Sequence, residues 1–318
     1  MLETYRFDSA KKKLTKHTKI QSNSWINVTD PSTAEIDLLT KKLHIPSDFI
    51  YYSLDADESA RAEHDPDYHA TLIIFDMPIL EKDSKNPDKY LYKTSPLGII
   101  VTDSAILTIN KTPVSFLQSF IDGQIKGFNP QDYHRSVLQI LFRISTIYLQ
   151  YLRDINRSRE TIETRLQNSL QNEELFDLMT IQRGLVYFMM SLKTDKMVLA
   201  SLMRTNMLNL NDADIEFLDD IQIENQQAIE MAEISNTIIN ETADTYSSII
   251  NNNMNSVMKF LTSYSIILTI PGLVFSFYGM NVALPLSGFK NSWLITLLIS
   301  LVIGGVLVYR FWRNRYIK

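Results

Sequence analysis

The chain has 318 residues, which is enough for more than one domain, and a formal net charge of −5. It contains no cysteine, which excludes disulfide bonds, thiolate metal sites and a cysteine nucleophile. No secretory signal, glycine-rich phosphate loop or nucleophile motif is recognisable, so neither export nor enzymatic activity is predicted.

The first third of the chain predicts an α+β domain over residues 1–128, with helices on both sides of a sheet in α/β/α layers. Ser32 and Glu35 have the spacing of a capping box, so a helix is expected to begin there. Asp103 and Ser104 are expected to form the tight turn of a hairpin. The predicted strands are 4–7, 25–29, 70–78, 97–101 and 105–110.

Residues 129–206 are predicted to form an antiparallel pair of helices. Apolar residues recur at helical spacing from Val137 to about Gln167 and again from Glu173 to Met203. A turn is expected at 168–172. The second helix is expected to bury Leu175, Leu178, Met179 and Val186 as its apolar side, and to pack its methionines Met189, Met190, Met197 and Met203 in the core.

A long stalk helix is predicted over residues 207–256, because neither proline nor glycine occurs between Asp212 and Pro271. Continued into the following apolar run, it would be about 100 Å long. No single domain buries such a helix, so we expect copies of the chain to share it. The stalk carries ten acids and no lysine or arginine. Divalent cations between copies would relieve the repulsion of these acids, and a solvated acidic face is the alternative.

Two apolar runs near the C-terminus predict transmembrane helices at 257–278 and 293–311, with an external loop at 279–292 and a basic tail at 312–318. The positive-inside rule places both termini in the cytoplasm of a multi-pass plasma-membrane protein. The basic residues that set this orientation are Lys259, Arg310, Arg313, Arg315 and Lys318.

Polar and small residues form one stripe along the first predicted span, at alternating spacings of three and four residues. Such a stripe suits the wall of a water-filled pore, and a close helix contact through small residues is the alternative. Met258 and Leu261 are expected to form an apolar constriction at its inner end. The predicted pore-lining residues are Asn251, Asn255, Met258, Leu261, Thr262, Ser265, Thr269, Gly272 and Ser276.

The sequence Tyr278-Gly279-Met280-Asn281 closes the first span. Gly279 is expected to permit the backbone conformation that ends the helix and to direct freed carbonyl groups toward the pore axis. Asn281 supplies an amide suited to hydrogen-bond the waters of a hydrated cation, because Mg²⁺ gives up its hydration shell reluctantly.

With these features the chain resembles, over its whole length, the CorA family of divalent-cation channels. The resemblance implies a symmetric homopentamer, in which each subunit contributes an α/β domain, a stalk continuous with the pore helix, and an outer second span. The resemblance rests on four segments of the sequence. They are Trp25-Ile26-Asn27-Val28-Thr29, the segment from Leu54-Asp55 to Arg61-x-Glu63, Asn255-x-x-Met258-Lys259-x-Leu261-Thr262, and Tyr278-Gly279-Met280-Asn281.

The resemblance also implies roles for individual residues. Gly279, Met280 and Asn281 match the selectivity motif, and Asn255, Met258 and Leu261 match inner pore positions. Asp220, or its neighbour Asp219, corresponds to the carboxylate of a regulatory Mg²⁺ site between subunits, with a partner expected at Asp55 or Asp57.

The resulting expectation is a channel for hydrated Mg²⁺ influx that intracellular Mg²⁺ gates, with the bilayer, divalent cations and further copies of the chain as partners, and with neither a covalent cofactor nor nucleic acid. Residues 282–293 hold no acid and include Lys290. This departure from the family pattern leaves a ZntB-like Zn²⁺ transporter as one alternative. A non-conducting membrane-anchored scaffold or sensor is another.

Overall fold

The computed structural model describes the chain except for residues 9–12, 84–88, 169–171, 283, 286–287, 289 and 315–318. The predicted turn at 168–172 and the basic residues Arg315 and Lys318 therefore lie wholly or mostly outside the described residues. The chain divides into two compact units, residues 1–241 and 242–318, which we call the first and second units.

The first unit contains a mixed seven-stranded sheet in the order β2-β1-β3-β7-β6-β5-β4. Only β3 and β7 pair in parallel; all other neighbours are antiparallel. The strands are β1 (Leu2–Asp8), β2 (Lys13–His17), β3 (Ser24–Thr29), β4 (Arg61–Asp65), β5 (Ala70–Lys82), β6 (Tyr90–Thr102) and β7 (Ala105–Asn110).

The five predicted strands are confirmed, and the sequence analysis missed the two edge strands. Both β2 and β4 are short and rich in charged or polar residues, as edge strands commonly are, so they lack the apolar pattern that identifies a strand. The predicted hairpin is confirmed by the antiparallel pairing of β6 with β7.

The helices begin close to the predicted positions, and the capping box of the first is present. Ser32 Oγ accepts a hydrogen bond from Glu35 N, and Glu35 Oε2 accepts one from Ser32 N. The helices are α1 (Thr33–Leu43), α2 (Ser47–Leu54), α3 (Leu117–Ile121), α4 (Tyr133–Asn168), α5 (Asn172–Thr205), α6 (Asp212–Tyr278) and α7 (Ser292–Arg313).

Helices cover both faces of the sheet, which confirms the predicted three layers. On one face, α1 and α2 pack on a core that includes Leu72 and Ile74. The next residues along β5, Ile73 and Phe75, are also fully buried, and α4 and α5 contact this strand. Trp25 lies within an aromatic cluster with Tyr5, Phe120 and Phe128.

The predicted apolar side of α5 was partly wrong. Leu178 is buried, but Met179, Val186, Met190 and Met197 are exposed. The helix is apolar on two sides, so helical spacing alone does not say which side faces the core. The buried side is formed by Leu178, Ile181, Leu185, Phe188 and Leu192, whereas Leu175, Met189 and Met203 are half-buried.

The acids of α6 are less isolated than the sequence suggested. Asp214 is buried, forms an ion pair with Arg135 of α4 at 3.4 Å and accepts a hydrogen bond from Asn211. Glu233 forms an ion pair with Lys193 of α5 at 2.7 Å. Part of the negative charge of α6 is therefore balanced by neighbouring helices of the same chain.

Candidate functional site

The second unit contains apolar helical surface that one chain does not cover. Helices α6 and α7 each include a stretch long and apolar enough to cross a membrane, and only 11% of each stretch is buried. Exposed apolar area of this extent calls for a cover of lipid or of further protein.

The buried residues of these two stretches are small or branched. Ser263 and Val274 are buried on α6, and Thr296 and Ser300 are buried on α7. Small residues allow membrane helices to approach closely, so these positions define the side of α6 that meets protein within the unit.

The polar stripe lies on a different side of α6 from these buried residues. At 3.6 residues per turn, the direction of Thr262, Thr269 and Ser276 averages roughly 130° from that of Ser263 and Val274. All nine predicted pore-lining residues are exposed in the single chain. A groove of about 400 Å³ runs along the stripe, lined by Leu261, Thr262, Ser265, Ile266, Thr269 and Ile270.

The hydroxyl group of Thr269, in the middle of the stripe, is free to accept hydrogen bonds. Thr269 Oγ1 donates its hydrogen to the carbonyl oxygen of Ser265 at 2.7 Å. A hydroxyl group that donates within its own helix keeps acceptor lone pairs for other partners. Water molecules around a cation present their hydrogens outward, so such acceptors suit a hydrated cation.

Large apolar residues flank the stripe on both sides. On one side lie Ile266, Leu273 and Phe277, and on the other side lie Tyr264, Leu268 and Phe275; all are exposed. Viewed along its axis, this part of α6 therefore has a polar stripe between two apolar flanks.

Helix α6 ends at Tyr278, directly before the Gly-Met-Asn sequence. Gly279 N donates to the carbonyl oxygen of Phe275 at 2.9 Å, and Met280 N donates to that of Phe277 at 3.3 Å. Gly279 does not lie in the left-handed region. Glycine suits this position instead because a Cβ atom would lie 3.1 Å from the Phe275 oxygen, and that carbonyl is engaged rather than free.

A cavity of about 530 Å³ lies beside this sequence, between the end of α6 and the start of α7. Met280 and Asn281 themselves are exposed. The residues that line the cavity are Phe275, Tyr278, Gly279, Leu284, Ser292, Trp293, Thr296 and Leu297.

The predicted regulatory carboxylates lie at two places in the first unit. Asp219 and Asp220 are exposed on α6. Asp55 follows α2, and its Oδ1 accepts a hydrogen bond from Asp57 N at 3.1 Å. Among the described residues, no group of three or more His, Asp or Glu side chains is arranged to hold a metal ion.

Two further carboxylates, Asp76 of β5 and Asp195 of α5, are close to each other in the interior of the first unit. Asp76 N donates to Asp195 Oδ1 at 2.9 Å. Burial raises the pKa of both carboxyl groups above the ordinary value. For Asp195 the negative charge of Asp76 raises the pKa further. The sequence analysis missed this pair, although an aspartate within the apolar run 70–78 was a visible signal.

Comparison with known proteins gives the same family over almost the whole chain. The family model for the CorA-like Mg²⁺ transporter proteins matches residues 21–313. The cobalt/magnesium transport protein CorA of Methanocaldococcus jannaschii is 27% identical over 303 residues, which are 92% of this chain and 91% of that protein.

Solved structures extend the similarity to the fold. The complete structure of the CorA magnesium transporter from Methanocaldococcus jannaschii has a TM-score of 0.86 and 25% identity, over 100% of this chain and 99% of that one. The cytoplasmic domain of ZntB from Vibrio parahaemolyticus has a TM-score of 0.59 and 14% identity, over 80% of this chain and 97% of that one. The full-length CmaX protein has a TM-score of 0.69 and 16% identity, over 99% and 96%.

The ZntB domain and CmaX show similarity of fold alone, whereas the family model and the CorA relative also match this chain in sequence. The match to a full-length transporter confirms an α/β domain, a long helix and two C-terminal apolar helices in a membrane protein. Because the family consists of ion transporters, the prediction that the chain is not an enzyme is confirmed as well. The chain belongs to the CorA-like Mg²⁺ transporter family of divalent-cation transport proteins.

Proposed function

We propose that the chain forms a homopentameric channel through which hydrated divalent cations, Mg²⁺ foremost, enter the cell. The observation that carries this proposal is the arrangement of polar stripe and apolar flanks on α6. In a ring of copies, the flanks pack against neighbouring helices and the stripes face the common axis, so the polar side chains meet water while the apolar ones leave it.

The chemistry of the stripe favours a cation that keeps its water shell. The hydroxyl of Thr269 and its equivalents accept hydrogen bonds from the outward-pointing hydrogens of coordinated water. At the outer end, five copies of Gly279, Met280 and Asn281 would form a ring of amides around the axis. Mg²⁺ retains most of its waters in protein sites, so such a ring suits it better than direct ligation would.

The proposed topology places both termini in the cytoplasm and the chain in the plasma membrane. The support is the positive-inside rule: Lys259, Arg310 and Arg313 flank the two apolar stretches on one side, and only Lys290 lies in the connecting loop. The first unit would then sense the ion concentration inside the cell.

We further propose that intracellular Mg²⁺ regulates the channel through Asp220 or Asp219 of one copy and Asp55 or Asp57 of the next. These carboxylates are exposed and lie at separate places in one chain, as ligands shared between copies must. When Mg²⁺ bridges them, neighbouring copies are held together; when it leaves, the repulsion between the carboxylates loosens the assembly.

Zn²⁺ is the second candidate for the transported ion. It stays open because of one departure from the family pattern, the absence of acids from residues 282–293 together with the presence of Lys290. A ring of lysines would not concentrate divalent cations at the outer mouth. The fold similarity to a ZntB cytoplasmic domain keeps this transporter type in view but does not identify the ion.

The proposal is tested by reconstituting the full chain in liposomes and measuring Mg²⁺ uptake with a fluorescent indicator. Asn281→Ala is expected to reduce uptake to the level of protein-free liposomes, because the amide ring is lost. Asn291→Ala, an amide in the same loop outside the motif, is the matched control and is expected to leave uptake unchanged. Undiminished uptake in Asn281→Ala would remove the amide ring from the conduction path, and a parent protein without uptake would favour a non-conducting membrane-anchored scaffold or sensor instead.

Two additions to this assay decide the ion and the regulation. Zn²⁺ at equal concentration is expected to compete weakly with Mg²⁺ if Mg²⁺ is the main substrate, and strong exclusion of Mg²⁺ would assign the chain to Zn²⁺ transport. Asp220→Asn is expected to conduct at Mg²⁺ concentrations that close the parent protein. Equal closure of both proteins would remove Asp220 from the regulatory site.

A further inference from the structure

Asp195 is a fully buried carboxylate without a balancing charge. Its side chain has no exposed surface, and its Oδ2 has no hydrogen-bond partner. Its Oδ1 accepts a single hydrogen bond, from the backbone N of Asp76 at 2.9 Å. A buried carboxylate with one neutral partner is costly to keep ionised.

The polar groups around the pair are neutral or negative. Ser191 of α5 hydrogen-bonds the Asp76 side chain, and Tyr148 of α4 donates to the Asp76 carbonyl oxygen at 3.3 Å. Burial, and to a smaller extent the negative charges of Asp195 and Asp76, holds the pKa of Tyr148 well above its usual value.

The cations of the neighbouring elements are engaged elsewhere. Lys93 of β6 pairs with Glu81, Arg61 of β4 pairs with Glu58, and Lys193 of α5 pairs with Glu233. In the part of the chain that the structure describes, no ion pair reaches Asp76 or Asp195. A pocket of about 300 Å³ beside Asp76 is bordered by the charged residues Asp57, Glu58 and Lys93.

The full burial of Asp195 and the nearby negative charge of Asp76 both make the charged form of Asp195 costly. When like charges share a site, one group keeps its proton to a higher pH than it would in water. Burial acts in the same direction on both groups, because the charged form loses its hydration.

We propose that Asp76 and Asp195 form a proton-binding site in the first unit, which holds one proton at neutral pH and makes the packing of α5 against β5 dependent on pH. The bound proton removes one negative charge and converts an unpartnered acceptor into a hydroxyl group. The proposal requires neither ion conduction nor a pentamer, so it stands or fails separately from the proposed function.

The sign of the pH effect follows from the direction of the pKa shifts. A carboxyl group with a raised pKa in the folded state stabilises the fold fully below its unfolded pKa. That contribution is lost as the pH rises through the folded pKa. The first unit should therefore lose stability on alkalinisation, whereas ordinary ion-paired carboxylates make a domain lose stability on acidification.

The direct test is infrared spectroscopy of the purified full chain in detergent, since a protonated carboxylic acid has a C=O stretching band distinct from that of a carboxylate. The parent protein is expected to show this band at neutral pH and to lose it as the pH rises. Asp195→Asn is expected to lack the band. Glu174→Gln is the matched control, because Glu174 is another buried carboxylate of α5 with an unpartnered oxygen, and it is expected to retain the band.

Two results would overturn the proposal: a parent protein without the band at neutral pH, or a band that persists in Asp195→Asn, which would then come from another carboxyl group such as Glu174 if it disappears in Glu174→Gln. The unfolding temperature of the first unit gives an independent readout. It should fall between mildly acidic and mildly alkaline pH in the parent protein and change less in Asp195→Asn, whose amide copies the protonated form. Parallel pH profiles of the two proteins would also contradict the proposal.

Discussion

The two units differ in how far they bury their apolar surface. The first unit closes on itself: its sheet is covered on both faces by helices of the same chain, and its largest side chains, such as Trp25 and Tyr148, are fully buried. In the two apolar stretches of the second unit, large side chains such as Phe275 and Trp293 are exposed, and the buried positions hold small or branched residues such as Ser263 and Val274. The first unit thus buries its own core, whereas the second leaves apolar surface that lipid or further protein must cover.

Polar residues accordingly mean different things in the two units. In the first unit a buried polar group usually has a partner close by: Trp25 Nε1 donates to Thr108 Oγ1, which in turn donates to Asn27 Oδ1, both at 2.9 Å. In the second unit Thr262 and Asn281 are exposed and lie on a surface that one chain leaves uncovered. Polarity stabilises the fold in the first case and, on our proposal, lines the path of an ion in the second.

Replacing a tryptophan in each unit should give the largest contrast. Trp25→Ala removes a side chain with 0% exposure from an aromatic cluster and leaves a cavity, at a cost of about 3–5 kcal/mol in unfolding free energy. Trp293 is 67% exposed, so Trp293→Ala should change the unfolding free energy of the first unit by about zero. Pulse proteolysis of the full chain in detergent, across a urea series, measures both.

This contrast depends on Trp293 facing lipid or water rather than the folded core. A large loss of stability in the first unit on Trp293→Ala would show that the two units do not behave independently. A small loss on Trp25→Ala would mean that the aromatic cluster with Phe120 and Phe128 repacks around the missing indole.

A glycine in each unit gives the next contrast. A Cβ atom at Gly98 of β6 would lie 1.8 Å from Ser53 Oγ, so Gly98→Ala forces α2 away from the sheet, at a cost of about 1–3 kcal/mol. At Gly304 of α7 nothing lies within 4 Å of the added atom, and Gly304→Ala should be tolerated. The same proteolysis assay measures Gly98→Ala, and the yield of monodisperse protein measures Gly304→Ala.

The matched rescue for Gly98→Ala is the double variant with Ser53→Gly, which returns the space taken by the new methyl group. Recovery of part of the lost stability would confirm that the contact is the cause. If Gly304→Ala instead disrupts the assembly, a neighbouring copy must lie against that glycine, which would extend the contrast from the single chain to the oligomer.

The sequence predicted most reliably the elements whose signals are local. The capping box at Ser32 and the turn at Ser104 each specify backbone geometry within a few residues. The long run without proline or glycine before Pro271 permits one continuous helix. The structure agrees with all three. The Gly-Met-Asn sequence and the polar stripe were equally visible, since spacing along one helix fixes which side chains share a face. Their role in conduction stays a prediction.

The sequence failed where the answer depends on which other element packs against a residue. Met190 and Leu192 both lie on apolar sides of α5, and only the position of the sheet decides that Leu192 is the buried one. The burial of Asp214 and Asp195 was likewise not predicted. Their burial depends on α4 and β5, which are distant in sequence, so no local pattern could predict the ion pair of the first or the proton site that we propose for the second.

The smallest contrast concerns the N-cap residue, directly before the first residue of a helix, in each unit. Ser32 caps α1 through its side chain, so Ser32→Ala should cost about 1 kcal/mol in the unfolding free energy of the first unit. Asn291 stands at the same position before α7 and makes no side-chain cap hydrogen bond, so Asn291→Ala should cost the second unit nothing measurable. Urea denaturation followed by pulse proteolysis detects the first change, and thermal aggregation of the full chain in detergent tests the second.

The pH dependence separates the cap from a general packing defect. The hydrogen bonds from Ser32 N and, at 3.1 Å, from Ser32 Oγ lower the pKa of Glu35, so the stability that this carboxylate contributes is present above its unfolded pKa and is lost as the pH falls through the folded one. Ser32→Ala keeps the backbone bond and loses the one from Oγ, so the stability difference from the parent protein should narrow in part as the solution is acidified. A difference that stays constant with pH would mean that the serine acts through its hydrogen bond from Glu35 N and not through the carboxylate. An equal loss of stability in Asn291→Ala would remove the contrast between a helix whose N-terminus is capped by a side chain and one whose N-terminus is not.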